Sequence, residues 1–502
     1  MKSFDASEAL KLSGVKKIFD FDFPTSDPRD AVNGVAVIAG NTWIALKASR
    51  LVKVEWDTKG GEGESSEKIT AQFVSNVKSK GQIQVRDDGN VDDVFSKSNK
   101  VIDALYEVPF LSHVPMEPMN YFADVQKEQC VVAGPTQVPD SVSELARLIT
   151  GLPAEKVIVK MTRAGGGFGR RLSADYAAEA IMISKKAEMP VQVVWTREDD
   201  IHYDLYRPAG TYSLKGALDS ENKLAAWHIK ASTTSRYTYA NSPRSPHITE
   251  VFPDGFPAGF VPNFRMEYTS VKTNIGSGAW RAPGHNSTAF VDPSFIDEMA
   301  FLAKKDPVDF RLELLGAEDK SMPYRDHGGP TYSTARLKNV IKVAAEKSDW
   351  HKPAPSGQYR GFAAHFMFGA YVAEVVTISV PSAQQIKVEK VHCVMDCGIV
   401  INRSGATNQI EGGIIDGLST ALNAAIHINN GGAVEGNFDA YKMMRIKDAP
   451  EIDVHLVDSK ENPEGLGEMA LPPIAAALCN AVFAATGKRI RSLPVNLQLA
   501  KV

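Results

Sequence analysis

Cysteine is almost missing from this chain: there are four in 502 residues, Cys130, Cys393, Cys397 and Cys479. Only Cys393 and Cys397 are close in sequence, and residues 391–395 alternate like a strand, along which four residues span about 13 Å. That reach is too long for a disulfide or a shared ion. A disulfide framework, structural zinc and an iron–sulfur cluster are therefore excluded, and buried thiols remain. Long apolar runs are missing too. The best candidate, residues 471–487, contains Pro472, Pro473 and Asn480 and is short of a membrane span. It reads as a buried helix with prolines in its first turn and Gly487 at its end. Net charge is only −4 with both signs mixed, so neither a nucleic-acid face nor a membrane-surface patch is expected. Residues 1–8 lack a signal-peptide core, and the eleven histidines include no His-Glu-x-x-His and no i,i+4 pair.

What is present is enough chain for two or three globular domains. Residues 1–57 predict helix, strand, helix, strand. Asp5 and Glu8 form a capping box, strands cover 15–21 and 35–39, Asn41 caps a helix and 51–56 is the last strand. This is little material for a core of its own, and the domain reads as incomplete at its N-terminal end. Residues 58–103 are rich in Gly, Ser, Lys, Glu and Asp and predict a linker or surface excursion. Further on, Ser141 and Glu144 predict a capping box for a helix ending at Gly151, and Asp292-Pro293 and Asp306-Pro307 predict two more helix starts. Residues 236–263 read as an ordered loop system, a candidate pocket lining. A second strand-rich region starts near Tyr359, followed by a helix over 409–422.

The candidate chemistry begins at Gly165, Gly166, Gly167, Phe168 and Gly169, followed by Arg170 and Arg171. A strand over 157–162 feeds these glycines toward a helix at 173–180. A backbone of that kind can approach a ligand closely and turn N–H groups toward an anion. Arg170 stands where G-x-G-x-x-G needs its last glycine, and no Gly-Lys-Ser/Thr follows. The loop thus points away from an ordinary nucleotide fold. A tight turn is the bland reading. Glu468, after Gly467 and before an apolar helix, is either a helix-start charge or a general base whose pKa apolar neighbours raise. Gln137 is a turn residue or an inward amide. Arg281, in the 278–284 loop, is a surface charge or an oxyanion clamp.

Taken together, Pro135-Thr136-Gln137, the 165–169 glycines, Trp280-Arg281-Ala282-Pro283-Gly284, Gln409-Ile410-Glu411-Gly412-Gly413 and Gly467-Glu468 resemble a family in their order. It is that of the large subunits of molybdenum hydroxylases, the xanthine dehydrogenase/aldehyde oxidase family. The residues 165–171, 193–200 and 485–490 resemble in particular the isoquinoline 1-oxidoreductase beta-subunit branch and its membrane-associated aldehyde dehydrogenase relatives. The resemblance implies an α+β fold: a partial α/β hammerhead domain (1–57), then, past the 58–103 excursion, two molybdopterin-binding domains (104–345 and 346–502). It implies a molybdenum–molybdopterin cytosine dinucleotide cofactor, with no iron–sulfur centre in this chain and no protein ligand to the metal. The cofactor would be contacted by Gly165, Gly166, Gly167, Phe168, Gly169, Trp280, Arg281, Gln409, Gly412 and Gly467. Gln137, Arg281 and Glu468 would be catalytic, Glu468 as the base in a hydroxylation that takes its oxygen from water. A small 2Fe-2S subunit and a cytochrome c subunit are the implied partners, and an upstream twin-arginine signal would imply the periplasm, otherwise the cytoplasm. Met469-Ala470 stand where the family usually has Pro-Gly after the glutamate. Leu172 stands where purine-oxidising members carry a substrate-binding glutamate, which argues against xanthine. The competing expectation is a non-catalytic remnant that holds no cofactor alone.

Overall fold

Strand alternation puts Phe21, Val32 and Ala36 on one face of the antiparallel hairpin Val15–Phe23/Val32–Ala39, and all three are buried. They do not close a core of their own. In the computed structural model, which describes residues 1–25, 27–324, 331–382 and 385–499, they pack with Ala177, Ala180 and Ile181 of helix α1 (Asp175–Ala187). That helix covers a four-stranded sheet ordered Val191–Val194, Asn120–Val125, Cys130–Gly134, Val157–Met161. The last two strands are parallel, with Gly134 opposite Met161, and helix Pro139–Thr150 crosses between them. Their C-terminal ends therefore deliver Gln137 and the 165–169 loop to one edge, where α/β sheets form ligand crevices.

A second sheet is ordered Ile83–Asp88, Asn263–Ser270, Leu224–Thr233, Gly210–Leu218, Val101–Val108. Helix α2 (His285–Ala303) packs on it, as Phe295 meets the Trp227 ring at 4.9 Å. The third sheet, Gln358–Met367, Ala370–Ser382, Gln385–Asp396, Glu451–Leu456, also ends in a parallel pair. Helix α3 (Arg403–Leu422) connects that pair. Helix α4 (Pro472–Thr486) lies so close to the sheet that a Cβ at Gly361 would stand 2.1 Å from Ala477 O.

Several expectations are corrected. Residues 58–103 are not a linker: helix Ser66–Val77 buries Ile69, Phe73 and Val77, and Ile83–Asp88 is an edge strand of the second sheet. Few apolar residues are enough there because each is spaced to face inward. Pro293 does not start a helix. It lies inside α2, which begins eight residues earlier at His285, just after the positive-φ Gly284. Neither capping box forms. Helix Ser7–Leu10 follows Ala6 with no side-chain cap, and Pro139 starts its helix ahead of Ser141. Asn41, Asp306 and Gly487 do cap as expected. All four cysteines are buried free thiols. Among the described residues, no helix is long and apolar enough to cross a membrane.

Candidate active site

The 165–169 loop is held by its carbonyls. Gly166 O accepts from Arg171 Nε (2.8 Å), Gly167 O from Arg170 N (2.8 Å), Phe168 O from Arg281 N (2.9 Å) and Gly169 O from Leu172 N (3.1 Å). The N–H groups of Gly166, Gly167, Phe168 and Gly169 have no acceptor among the described residues. Side chains are excluded by space. A Cβ would meet Glu117 Cβ at 2.5 Å from Gly165, Gln137 Oε1 at 2.8 Å from Gly167 and Ala279 O at 1.6 Å from Gly169. Gly166 and Gly169 have φ of +101° and +104°, and Phe168, half exposed, has +55°. A non-glycine residue held there is strain of the kind functional loops store. The result is a main-chain concavity with several unpaired donors, suited to an anion.

Beneath the loop, Arg170 and Arg171 are buried. Arg170 donates twice to Asp175 (2.9 and 2.6 Å), and Arg171 to Glu117 O (3.0 Å) and Oε2 (3.1 Å). The carboxylates around Arg170 keep its guanidinium charged despite burial.

Arg281 joins the halves of the molecule. Its guanidinium donates to Gly467 O (2.6 Å) and Gln409 O (3.2 Å), pairs with Asp416 (3.4 Å), and lies 5.8 Å from the Phe168 ring. Burial raises the Asp416 carboxyl, against the opposing pull of Arg281. The next residue, Ala282, donates its N–H to Glu468 Oε1 (3.1 Å). Glu468 is half-buried, with Met469 and Leu471 buried beside it. Gly465 N donates to Phe368 O (3.0 Å), so the tight turn after Gln358–Met367 steadies the glutamate segment.

Contacts thus run unbroken from Gln137 through Gly167, Phe168, Arg281, Gln409 and Gly467 to Ala282 and Glu468. Gly412 is outside this series: it is exposed, with open space where a Cβ would go. The Trp280 side chain is buried under the loop, with Arg207 over its ring at 6.0 Å. Residues 236–263 back the arginine loop, with Thr249 O 2.4 Å from a Cβ at Gly284. Sequence reasoning missed Glu117, His113, Asp204 and Asp416, whose isolated positions carry no motif. Arg170 and Arg171 stood in plain view beside Asp175, five residues on.

The donor set fits a molybdopterin-type group: unpaired amide N–H groups, the carboxamides of Gln137 and Gln409 and, among the described residues of these loops, no imidazole or thiolate to compete for a metal that the cofactor itself would hold. Comparison with known proteins agrees. Models of the molybdopterin cofactor-binding domain match residues 74–315 and 297–450, together most of the chain. The membrane-bound aldehyde dehydrogenase [pyrroloquinoline-quinone] of Gluconacetobacter polyoxogenes is 29% identical over 99% of this chain and 66% of its own length. Isoquinoline 1-oxidoreductase subunit beta of Brevundimonas diminuta is 27% identical over 94% of this chain and 60% of its own. The chain thus spans less than two thirds of these relatives. Quinoline 2-oxidoreductase from Pseudomonas putida 86 shares the fold with a TM-score of 0.76 at 15% identity, covering 100% of this chain and 92% of that one.

Proposed function

The chain belongs to the molybdenum hydroxylase family, in the branch of the isoquinoline 1-oxidoreductase beta subunit and membrane-bound aldehyde dehydrogenase. From that premise we propose that it is the molybdenum-bearing catalytic subunit of an oxidoreductase that hydroxylates an electron-poor carbon of an N-heterocycle or aldehyde with oxygen from water. The observation that carries the reading is the pairing of the 165–169 loop, with its unpaired N–H groups, with a carboxylate held across Arg281 and Ala282.

When bound, the cofactor supplies the two-electron oxidation and the oxygen transfer. The chain supplies position and proton transfer. Gly166, Gly167, Phe168 and Gly169 offer N–H donors to an anionic group, and Gln137 offers an amide beside them without adding charge. Arg281 fixes the register between the halves through Gly467 O and Gln409 O. Glu468 uses Oε1 to hold Ala282 N–H, which leaves Oε2 to accept the proton as general base. Residues 104–345 carry the glycine loop and 346–502 carry Glu468, and we read these as the two cofactor-clasping domains. We read the cofactor as the cytosine dinucleotide form, the electron acceptors as a small 2Fe-2S subunit and a cytochrome c subunit, and the location as periplasmic. The four separate buried thiols support an acceptor outside this chain.

The test is molybdenum and CMP per chain, after purification from a host that makes the cytosine dinucleotide form. About one of each is expected. Molybdenum without CMP would correct the cofactor form, and pyrroloquinoline quinone in its place would follow the name of the Gluconacetobacter relative. Folded protein with neither would favour the remnant.

A further inference from the structure

His113 belongs to no motif, and its side chain is fully buried against Asp204, itself 1% exposed. Nδ1 is 2.9 Å from Asp204 Oδ1, and Nε2 is 3.1 Å from Ala279 O. A backbone carbonyl only accepts. Asp204 also acts as an acceptor: Oδ1 takes Leu205 N–H (2.7 Å), and Oδ2 takes Ser112 Oγ–H and His113 N–H (both 2.6 Å). Arg170 Nε stands 3.3 Å from Oδ1. With so many donors on its oxygens, Asp204 has no place for a proton to give back. Either neutral tautomer of His113 would set a ring lone pair against an oxygen lone pair, in a site where an unmade hydrogen bond is costly.

The geometry points to His113 as a positioning residue that is an imidazolium, donating from both ring nitrogens and tying the 165–169 loop to the 278–284 loop. The tie has two ends. Asp204 takes His113 on one side and Arg170, the residue after Gly169, on the other. Ala279 O, held by Nε2, is the atom a Cβ at Gly169 would meet at 1.6 Å. The charged groups around the imidazole are Arg170, shared by Asp175 and Asp204, Arg197 with Asp200, Arg281 with Asp416, and Arg207, a buried cation that donates to Pro109 O. The case for the imidazolium therefore rests on the two acceptors that face its ring nitrogens.

The protonation state is independent of the proposed function; its consequence for cofactor retention rests on that reading. The test is NMR of the full chain with ring-15N histidine, His113→Gln identifying the signal among eleven, or Asp204→Asn if that variant does not fold. Both His113 ring nitrogens are expected to carry protons at pH 7.5, and a neutral tautomer there would overturn the inference. The second readout is molybdenum kept per chain through gel filtration. His113→Gln should lose about tenfold more than wild type, as supporting groups around metal sites typically do, and His113→Lys, which keeps the cation, should recover part of it. Gln and Lys variants that retain metal equally would also overturn it. An imidazolium in a wild-type chain that binds no molybdenum would leave the tie standing and sink the functional reading instead.

Discussion

The 165–169 loop offers unpaired backbone N–H groups and rests on ion pairs of two buried arginines, Arg170 with Asp175 and Arg171 with the half-buried Glu117. The 465–468 segment offers a side chain and rests on neutral contacts: Phe368 O, Gly398 packed against Asn462 O, and buried Met469 and Leu471. Both follow the C-terminal ends of parallel strand pairs, yet their supports differ because their tasks do. Backbone donors cannot adjust by changing rotamer, so the loop that carries them needs a stiff footing. A carboxylate that must take a proton works better with no fixed cation on it, and among the described residues none bonds Glu468. Arg281, a cation that crosses over, grips the carbonyl beside the glutamate rather than the carboxylate.

The largest effect should come from breaking the stiff side. Gly169→Ala adds a methyl at 1.6 Å from Ala279 O at a φ of +104°. It should cost about 3 kcal/mol or more from overlap and strain together, read as a drop in melting temperature with loss of bound molybdenum. Cutting the link between the sides should cost less. Arg281→Met removes the grip on Gly467 and Gln409 and leaves Asp416 without its partner, so a loss of about 1–3 kcal/mol is expected. Turnover should fall further than stability does, because Glu468 is displaced; chemical denaturation beside steady-state kinetics would separate the two.

A pH test follows from Glu179, on the same helix as Asp175. It accepts from Trp195 Nε1 (2.7 Å), and burial pushes its carboxyl from 4.5 up to about 8. The folded state therefore holds a proton that the unfolded state releases. Stability from this group is whole below about pH 4.5, falls as pH rises, and is fully lost above about pH 8. Glu179→Gln should flatten that decline, most visibly between pH 6 and 8 in melting temperatures. The smallest effect belongs to Gly412→Ala. With open space around it on a helix, it should be neutral or stabilising by up to about 1 kcal/mol, with molybdenum unchanged. Loss of metal there would restore Gly412 to the site.

The site was legible where chemistry leaves local marks. The glycines at 165–169, Arg281 beside small residues and Glu468 before a proline-started helix each carry a signal in their neighbours, and the structure joins them. Elements with local caps, such as those at Asn41 and Asp306, were legible for the same reason. What escaped depends on distant partners. Residues 66–97 looked too polar to pack, because their few apolar side chains count only once a sheet is there to receive them. Pro293 looked like a helix start, because only the tertiary setting shows that α2 runs through it. His113 and Asp204 are 91 residues apart, and no spacing rule could pair them.

The most direct measurement is molybdenum per chain and turnover, taken together, in Glu468→Gln. An account in which one side holds the cofactor and the other moves the proton predicts wild-type metal content and melting temperature, with turnover reduced about 100-fold or more. Metal lost along with activity would show that Glu468 helps hold the cofactor, and activity kept would remove it from the chemistry; either contradicts the division of labour.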